Sequence, residues 1–118
     1  STAEAEENCA VMAADQIKAF LDHGNIKNSV NFPAIELERI TESRLTVTNR
    51  NAPGTLSHIL NVLGDANLNV ADLLNKSRGD IAYNLIDLNS EPSLDVLDKI
   101  RALDGVINVR HLGKPCSI

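Results

Sequence analysis

Strand-like and helix-like patterns alternate from residue 43 onward in an order that restricts this chain to very few folds. Runs rich in β-branched residues predict strands, and apolar residues spaced three or four apart predict helices. In chain order, the predicted elements are a strand over 43–49, a helix over 53–66, strands over 69–77 and 81–88, a helix that starts at 90–92 and ends at 104–105, and a strand over 106–112. This order is that of the ferredoxin-like, split βαβ plan.

The predicted fold class is α+β, a βαββαβ domain with a four-stranded antiparallel sheet and two helices on one face, because crossover connections are right-handed. The opposite face is expected to be bare, and the second strand is expected at an edge of the sheet, where it can pair with another copy. The last strand is expected to bury Ile107 and Val109 and to expose Asn108 and Arg110. Asn84 is expected to point toward the helices among apolar neighbours, and the sequence suggests no partner for it.

The chain begins at Ser1 and not at a methionine, so we expect it to have been cut from a longer protein. Residues 1–24 predict an N-terminal helix whose apolar stripe needs a missing body, or another copy, to cover it. Residues 25–42 lack sustained periodicity and predict an extended linker. The compact domain is expected over 43–113, followed by a short tail over 114–118.

Composition excludes several classes of function. With 11 basic and 16 acidic residues, a formal net charge of -5 and no basic block, nucleic acid is not an expected partner. No apolar stretch is long enough to cross a membrane, so we expect no membrane partner and a cytoplasmic location. Cys9 and Cys116 lie far apart and predict two free thiols. His23, His58 and His111 lack ligand spacing, so no metal site is expected.

Catalysis is not expected of this chain either. The sequence contains no Ser/His/Asp or Cys/His arrangement at usable spacing, no glycine-rich phosphate loop, and only scattered carboxylates. We therefore predict no catalytic residues and no bound cofactor.

A candidate ligand site lies where the first strand runs into the first helix. Gly54 permits close approach to the backbone, and the unpaired N–H groups and positive dipole end of a helix start suit a carboxylate or phosphate. The asparagines near this turn add uncharged donors and acceptors. The candidate ligand-binding residues are Asn49, Asn51, Gly54, Thr55, Leu56 and Asn69. The alternative interpretation is that Asn51 merely caps the helix and that Pro53 and Gly54 fill its first turn.

Several short segments, taken together in order and spacing, carry a resemblance that covers nearly the whole chain. They are the opening Ser-Thr-Ala-Glu-Ala-Glu-Glu-Asn, Val30-Asn31-Phe32-Pro33, the Asn-Arg-Asn-Ala-Pro-Gly turn, Asn67-Leu68-Asn69-Val70 and Asp104-Gly105-Val106. The chain resembles the C-terminal part of the bacterial D-3-phosphoglycerate dehydrogenase family. The resemblance implies that residues 1–24 end the dehydrogenase body and that residues 43–113 form its ACT domain, a small amino-acid-sensing regulatory module. The parent enzyme would be an NAD-dependent dehydrogenase, whose nucleotide loop and catalytic residues lie upstream of this chain.

The resemblance also implies a ligand, L-serine, held between two ACT domains. Asn51 stands where the family has a serine-binding asparagine, Gly54 and its neighbours stand at the helix start that faces the ligand, and Asn69 stands where the partner subunit contributes a second asparagine. Asn49 departs from the family, because serine-inhibited members carry a histidine there, and asparagine cannot carry a positive charge.

The expected function is thus an amino-acid-binding allosteric and dimerising module for feedback control of L-serine biosynthesis, self-associating through strand 69–77. The alternative is an ACT-like domain without a ligand that serves only subunit association. An RNA-recognition module is excluded because one Tyr, two Phe and no Trp cannot form a base-stacking platform.

Overall fold

The computed structural model describes residues 14–27, 29 and 32–113. Its elements are α1 (residues 14–23), β1 (Ser43–Arg50), α2 (Thr55–Asp65), β2 (Val70–Arg78), β3 (Ile81–Leu88), α3 (Leu94–Arg101) and β4 (Val106–Leu112). The expectations for the start of the first helix, the tail and both cysteines lie outside the described residues.

The four strands form one antiparallel sheet in the order β2-β3-β1-β4. Apolar residues of α2 and α3 pack against the same face of this sheet, so the predicted fold class and the βαββαβ plan are confirmed. The buried core on that face consists of Leu45, Val47, Ile59, Leu63, Ile86, Leu88, Val96, Leu97, Ile100 and Val109. Strand β2 lies at one edge of the sheet, as expected.

The opposite face of the sheet is covered, and the expectation that it is bare is wrong. Tyr83 and Leu85 of β3 are buried there, where Ile26 and Ile35 pack against them. Strand β3 is apolar on both faces, so both faces must be shielded from water. The segment after α1 does this by folding back on itself through an antiparallel bridge between Ile26 and Ile35. The division of the chain into domains stays a prediction.

The expectation that Ile107 is buried is also wrong, because its side chain is 52% exposed. Thr48 pairs with Asn108 whereas Asn49 pairs with Val106, so Ile107 is the extra residue of a β-bulge. The bulge reverses the alternation of faces, and Val106 packs against the core instead. Val109 is buried and Asn108 exposed, as predicted, while Arg110, which was expected to be exposed, is half-buried.

Side chains from the rest of the chain hold the C-terminal end of α1. Four backbone carbonyls at this end each accept a hydrogen bond from a side chain: Phe20 from Arg110, Asp22 from Arg39, His23 from Arg44 and Gly24 from Tyr83. Three of the donors are arginines, which also complement the negative end of the helix dipole. Arg44 is itself fully buried in an ion pair with Asp87 on the covered face of the sheet. Helix α1 is therefore fixed to the sheet by polar as well as apolar contacts.

Candidate functional site

The turn between β1 and α2 presents unpaired backbone donors to solvent. Gly54 precedes the helix with φ of 86° in the left-handed region, and no side chain caps the helix start. Within the part of the chain that the structure describes, the N–H groups of Gly54, Leu56 and Ser57 have no hydrogen-bond acceptor. They lie at the positive end of the α2 dipole, an arrangement that favours an anion.

Asn51 does not cap α2, so the capping interpretation is wrong. Its Nδ2 donates to the carbonyl of Gly79 at 3.2 Å, and its backbone N–H donates to the carbonyl of Asp80 at 2.8 Å. These bonds attach the turn to the β2–β3 hairpin. The side chain is exposed, and its Oδ1 accepts no hydrogen bond from the described residues. Asn51 therefore keeps a free acceptor beside the unpaired donors.

Asn49 lies on the helix-facing side of β1 and is only 3% exposed. Its Oδ1 accepts from Asn84 Nδ2 at 2.7 Å, and its own Nδ2 donates to the carbonyl of Arg50 at 2.8 Å. Asn84 also donates to the carbonyl of Val47 and accepts from Asn75, which faces it across β2 and β3. Asn84 thus has the partners that sequence reasoning did not find, and Asn75 could have been recognised only from the strand register. Contact between Asn49 and a ligand stays a prediction.

The other predicted residues at the start of α2 differ in solvent exposure. The Thr55 side chain is 6% exposed and lies beside Gly105, whereas Leu56 is half-buried. Of Gly54, Thr55 and Leu56, Gly54 is the one that is exposed. His58, one helical turn later, lies close to Gly54 and is exposed. Sequence reasoning missed His58 as a neighbour of the site, although its spacing of four residues from Gly54 is the signal for that proximity.

Asn69 is not near the other candidate residues in a single chain. It is exposed and precedes β2, whereas Asn51 contacts Gly79, which follows the other end of β2. The intervening strand is roughly 30 Å long at about 3.3 Å per residue. One chain therefore brings together Asn49, Asn51, Gly54, Thr55 and Leu56 and leaves Asn69 apart.

A cavity of about 450 Å³ lies on the other face of the sheet, and none of the candidate residues lines it. Burial raises the pKa of Tyr83, which borders this cavity. Among the described residues, no three His, Cys, Asp or Glu side chains are grouped so that they could hold a metal ion. Those residues also include no helix whose length and hydropathy would allow it to span a membrane.

Known proteins resemble this chain over nearly its whole length. No protein-family model matches the chain. The D-3-phosphoglycerate dehydrogenase of Haemophilus influenzae is 34% identical over 113 residues, which are 95% of this chain and 28% of that protein. The enzyme of Dictyostelium discoideum is 34% identical over 113 residues, covering 95% of this chain and 27% of that protein. The enzyme of Escherichia coli K12 is 27% identical over 114 residues, covering 95% of this chain and 28% of that protein.

The chain resembles one part of D-3-phosphoglycerate dehydrogenase. It spans about a quarter of the length of the curated relatives it matches, consistent with a C-terminal fragment of D-3-phosphoglycerate dehydrogenase. The resemblance predicted from the short motifs is confirmed.

A solved structure of low sequence identity shares the fold. A crystal structure of an unknown protein from Galdieria sulphuraria matches with a TM-score of 0.53 and 14% identity, covering 64% of this chain and 45% of that chain. The ACT domain from GTP pyrophosphokinase of Chlorobium tepidum matches with a TM-score of 0.47 and 21% identity, covering 59% of this chain and 95% of that chain. The strand order and the packing of α2 and α3 on one face of the sheet are the ferredoxin-like arrangement that the resemblance to an ACT domain implies.

Proposed function

We propose that this chain is the regulatory ACT module of a D-3-phosphoglycerate dehydrogenase, and that it binds L-serine between two copies and joins the subunits. The parent would be a cytoplasmic, NAD-dependent enzyme of L-serine biosynthesis, whereas this chain would neither catalyse the reaction nor bind NAD. The observation that carries the proposal is the set of unpaired N–H groups at Gly54, Leu56 and Ser57 beside the free acceptor of Asn51.

The exposed edge of β2 supports a site that is shared between two copies. Leu73 and Leu74 lie in the middle of this edge strand and are only half-buried in one chain. An antiparallel pairing of two β2 strands about a two-fold axis at Leu73 and Leu74 would place Asn69 of the second copy opposite Arg78. Asn51 contacts the next residue, Gly79, so this pairing would bring together the two asparagines that a single chain keeps apart.

The proposed contacts follow from the donors and acceptors available. The ligand carboxylate would lie against the N–H groups from Gly54 to Leu56, where the helix dipole favours negative charge. The ammonium would donate to Oδ1 of Asn51 and to Asn69 of the second copy. Asn49 would act indirectly, because its bond to the Arg50 carbonyl holds the last residue of β1, from which the turn starts.

A second candidate function is subunit association without a ligand. Asn49 favours this second function. Both polar atoms of its side chain are already bonded within the protein, and an asparagine cannot carry the positive charge of the family's histidine. In this case the β2 edge would still pair, and the unpaired donors of the turn would be hydrated.

Calorimetry with L-serine and related amino acids on the 118-residue chain tests the two candidates. Asn51→Ala and Asn69→Ala should each weaken binding by roughly tenfold to hundredfold, because each removes one partner of a buried ligand group, at about 1–3 kcal/mol. Asn61→Ala, an exposed change on α2, is the matched control and should leave affinity unchanged.

Each outcome of this experiment decides between the candidates. If no amino acid binds at millimolar concentration while the chain still dimerises, the association-only function is correct. If binding occurs but neither Asn51→Ala nor Asn69→Ala weakens it, the site lies elsewhere. Sedimentation that shows a monomer at tens of micromolar, with and without L-serine, would refute pairing through β2. Turnover of 3-phosphoglycerate or saturable NADH binding by the chain would refute the purely regulatory role.

A further inference from the structure

The cavity on the covered face of the sheet has the size and lining of a ligand site. Its volume of about 450 Å³ falls within the range of small-molecule pockets, about 300–1,000 Å³. Thr48, Asn108 and Arg110 from β1 and β4 contribute to its floor, and Ile17 and Phe20 of α1 form one wall. A polar floor therefore faces an apolar wall.

The charged side chains that line this cavity all have the same sign of charge. Its charged residues among those described are Lys27 and Arg110, both basic, in a chain of net charge -5. Lys27 has a counterion, because its Nζ lies 3.5 Å from Glu36. Arg110 forms no ion pair with any described carboxylate. Among the described residues, the cavity thus contains a positive charge without a compensating negative one.

Arg110 is also held in place before any ligand binds. Its Nη2 donates to the carbonyl of Phe20 at 2.8 Å, and its guanidinium carbon lies 4.3 Å from the centre of the Phe20 ring. These contacts leave other N–H groups of the planar fork available, and such a fork matches the two oxygens of a carboxylate or phosphate. Because the fold already orders this side chain, it would lose little conformational entropy when a ligand binds.

Two further polar groups lie next to Arg110 on the floor. Thr48 and Asn108 are directly paired across β1 and β4, and Thr46 is paired with Arg110. The side chains of Thr48 and Asn108 make no hydrogen bond with the described residues. A hydroxyl, an amide and a guanidinium thus line one patch of the floor, and all three can donate to an anion.

We propose that this cavity binds a small organic acid with an apolar body. The carboxylate would lie on the patch formed by Thr48, Asn108 and Arg110, and an aliphatic or aromatic body would pack against Ile17 and Phe20. This site lies on the opposite side of the sheet from the turn at Gly54. The two sites share β1, in which Thr48 and Asn49 are neighbours with side chains on opposite faces.

NMR titration of the 118-residue chain with 4-methylpentanoate tests the proposal. The uncharged 4-methylpentanamide has the same apolar body, and inorganic phosphate has charge without that body, so each should bind at least about tenfold more weakly than the acid. Thr48→Val and Asn108→Ala should each weaken binding of the acid by about tenfold. Lys99→Gln, which removes an exposed charge on α3, is the control and should have no effect.

Several results would overturn the proposal. The site is absent if 4-methylpentanoate shows no saturable binding at millimolar concentration. Recognition of charge is refuted if the amide binds as tightly as the acid, and recognition of the apolar body is refuted if phosphate does. If Thr48→Val and Asn108→Ala both keep full affinity while their circular dichroism spectra remain native, the acid binds elsewhere. Asn51→Ala should leave this binding unchanged, which separates the proposal from the effector site.

Discussion

Replacing Asp87 with asparagine would remove the counterion of the only fully buried arginine among the described residues. Arg44 and Asp87 are both 0% exposed and are joined by two hydrogen bonds, Nε to Oδ1 at 2.5 Å and Nη2 to Oδ2 at 3.0 Å. Asparagine keeps the size of the side chain but leaves the Arg44 charge buried without a negative partner. Breaking such a pair on one side costs about 3–5 kcal/mol. That is a large share of the roughly 5–15 kcal/mol that stabilises a typical domain.

Urea unfolding followed by far-UV circular dichroism measures this loss. Asp98→Asn is the matched control, because Asp98 forms an exposed ion pair with Arg101 at 3.1 Å and should lose less than about 1 kcal/mol. The double variant Arg44→Met with Asp87→Leu should recover most of the loss, since it removes both charges together. The reasoning is refuted if Asp87→Asn costs no more than Asp98→Asn, or if the double variant is as unstable as the single one.

Two further predictions concern the end of α1. Gly24→Ala should destabilise the fold by about 1–3 kcal/mol, because Gly24 has φ of 72° and an added Cβ would clash with Thr46. The control is Gly64→Ala on α2, where an added Cβ meets no atom within 4 Å, and it should stabilise the fold by about 0.5–1 kcal/mol. Scanning calorimetry should show opposite shifts in Tm, and equal shifts would contradict the prediction. Burial, with help from neighbouring arginines, lowers the pKa of His23 below 6.5, so stability should be full above that pH and fall below it. His23→Gln should flatten this fall below about pH 6.5 in urea titrations, and parallel curves would contradict it.

Local patterns determined the order of the elements and their approximate bounds. Apolar residues at Ile59 and Leu63 recur with helical spacing, and the predicted helix over 53–66 contains α2 (Thr55–Asp65). The strand predicted over 81–88 coincides with β3, because its β-branched and aromatic content and the Gly79 turn are local signals. The exposed Gly54 turn was predictable for the same reason, since a strand end, a Pro-Gly step and a helix start lie within a few residues.

Contacts between residues distant in sequence were decided only by the tertiary structure. The pairing of Arg44 with Asp87, the bonds from Asn84 to Asn49 and Asn75, and the bulge at Ile107 all depend on strand register, which no single segment specifies. The same applies to the separation of Asn51 from Asn69 and to the covering of the second sheet face. Periodicity reports which side of an element is apolar, but which element covers that side, and in which register, follows from packing the whole chain against one sheet.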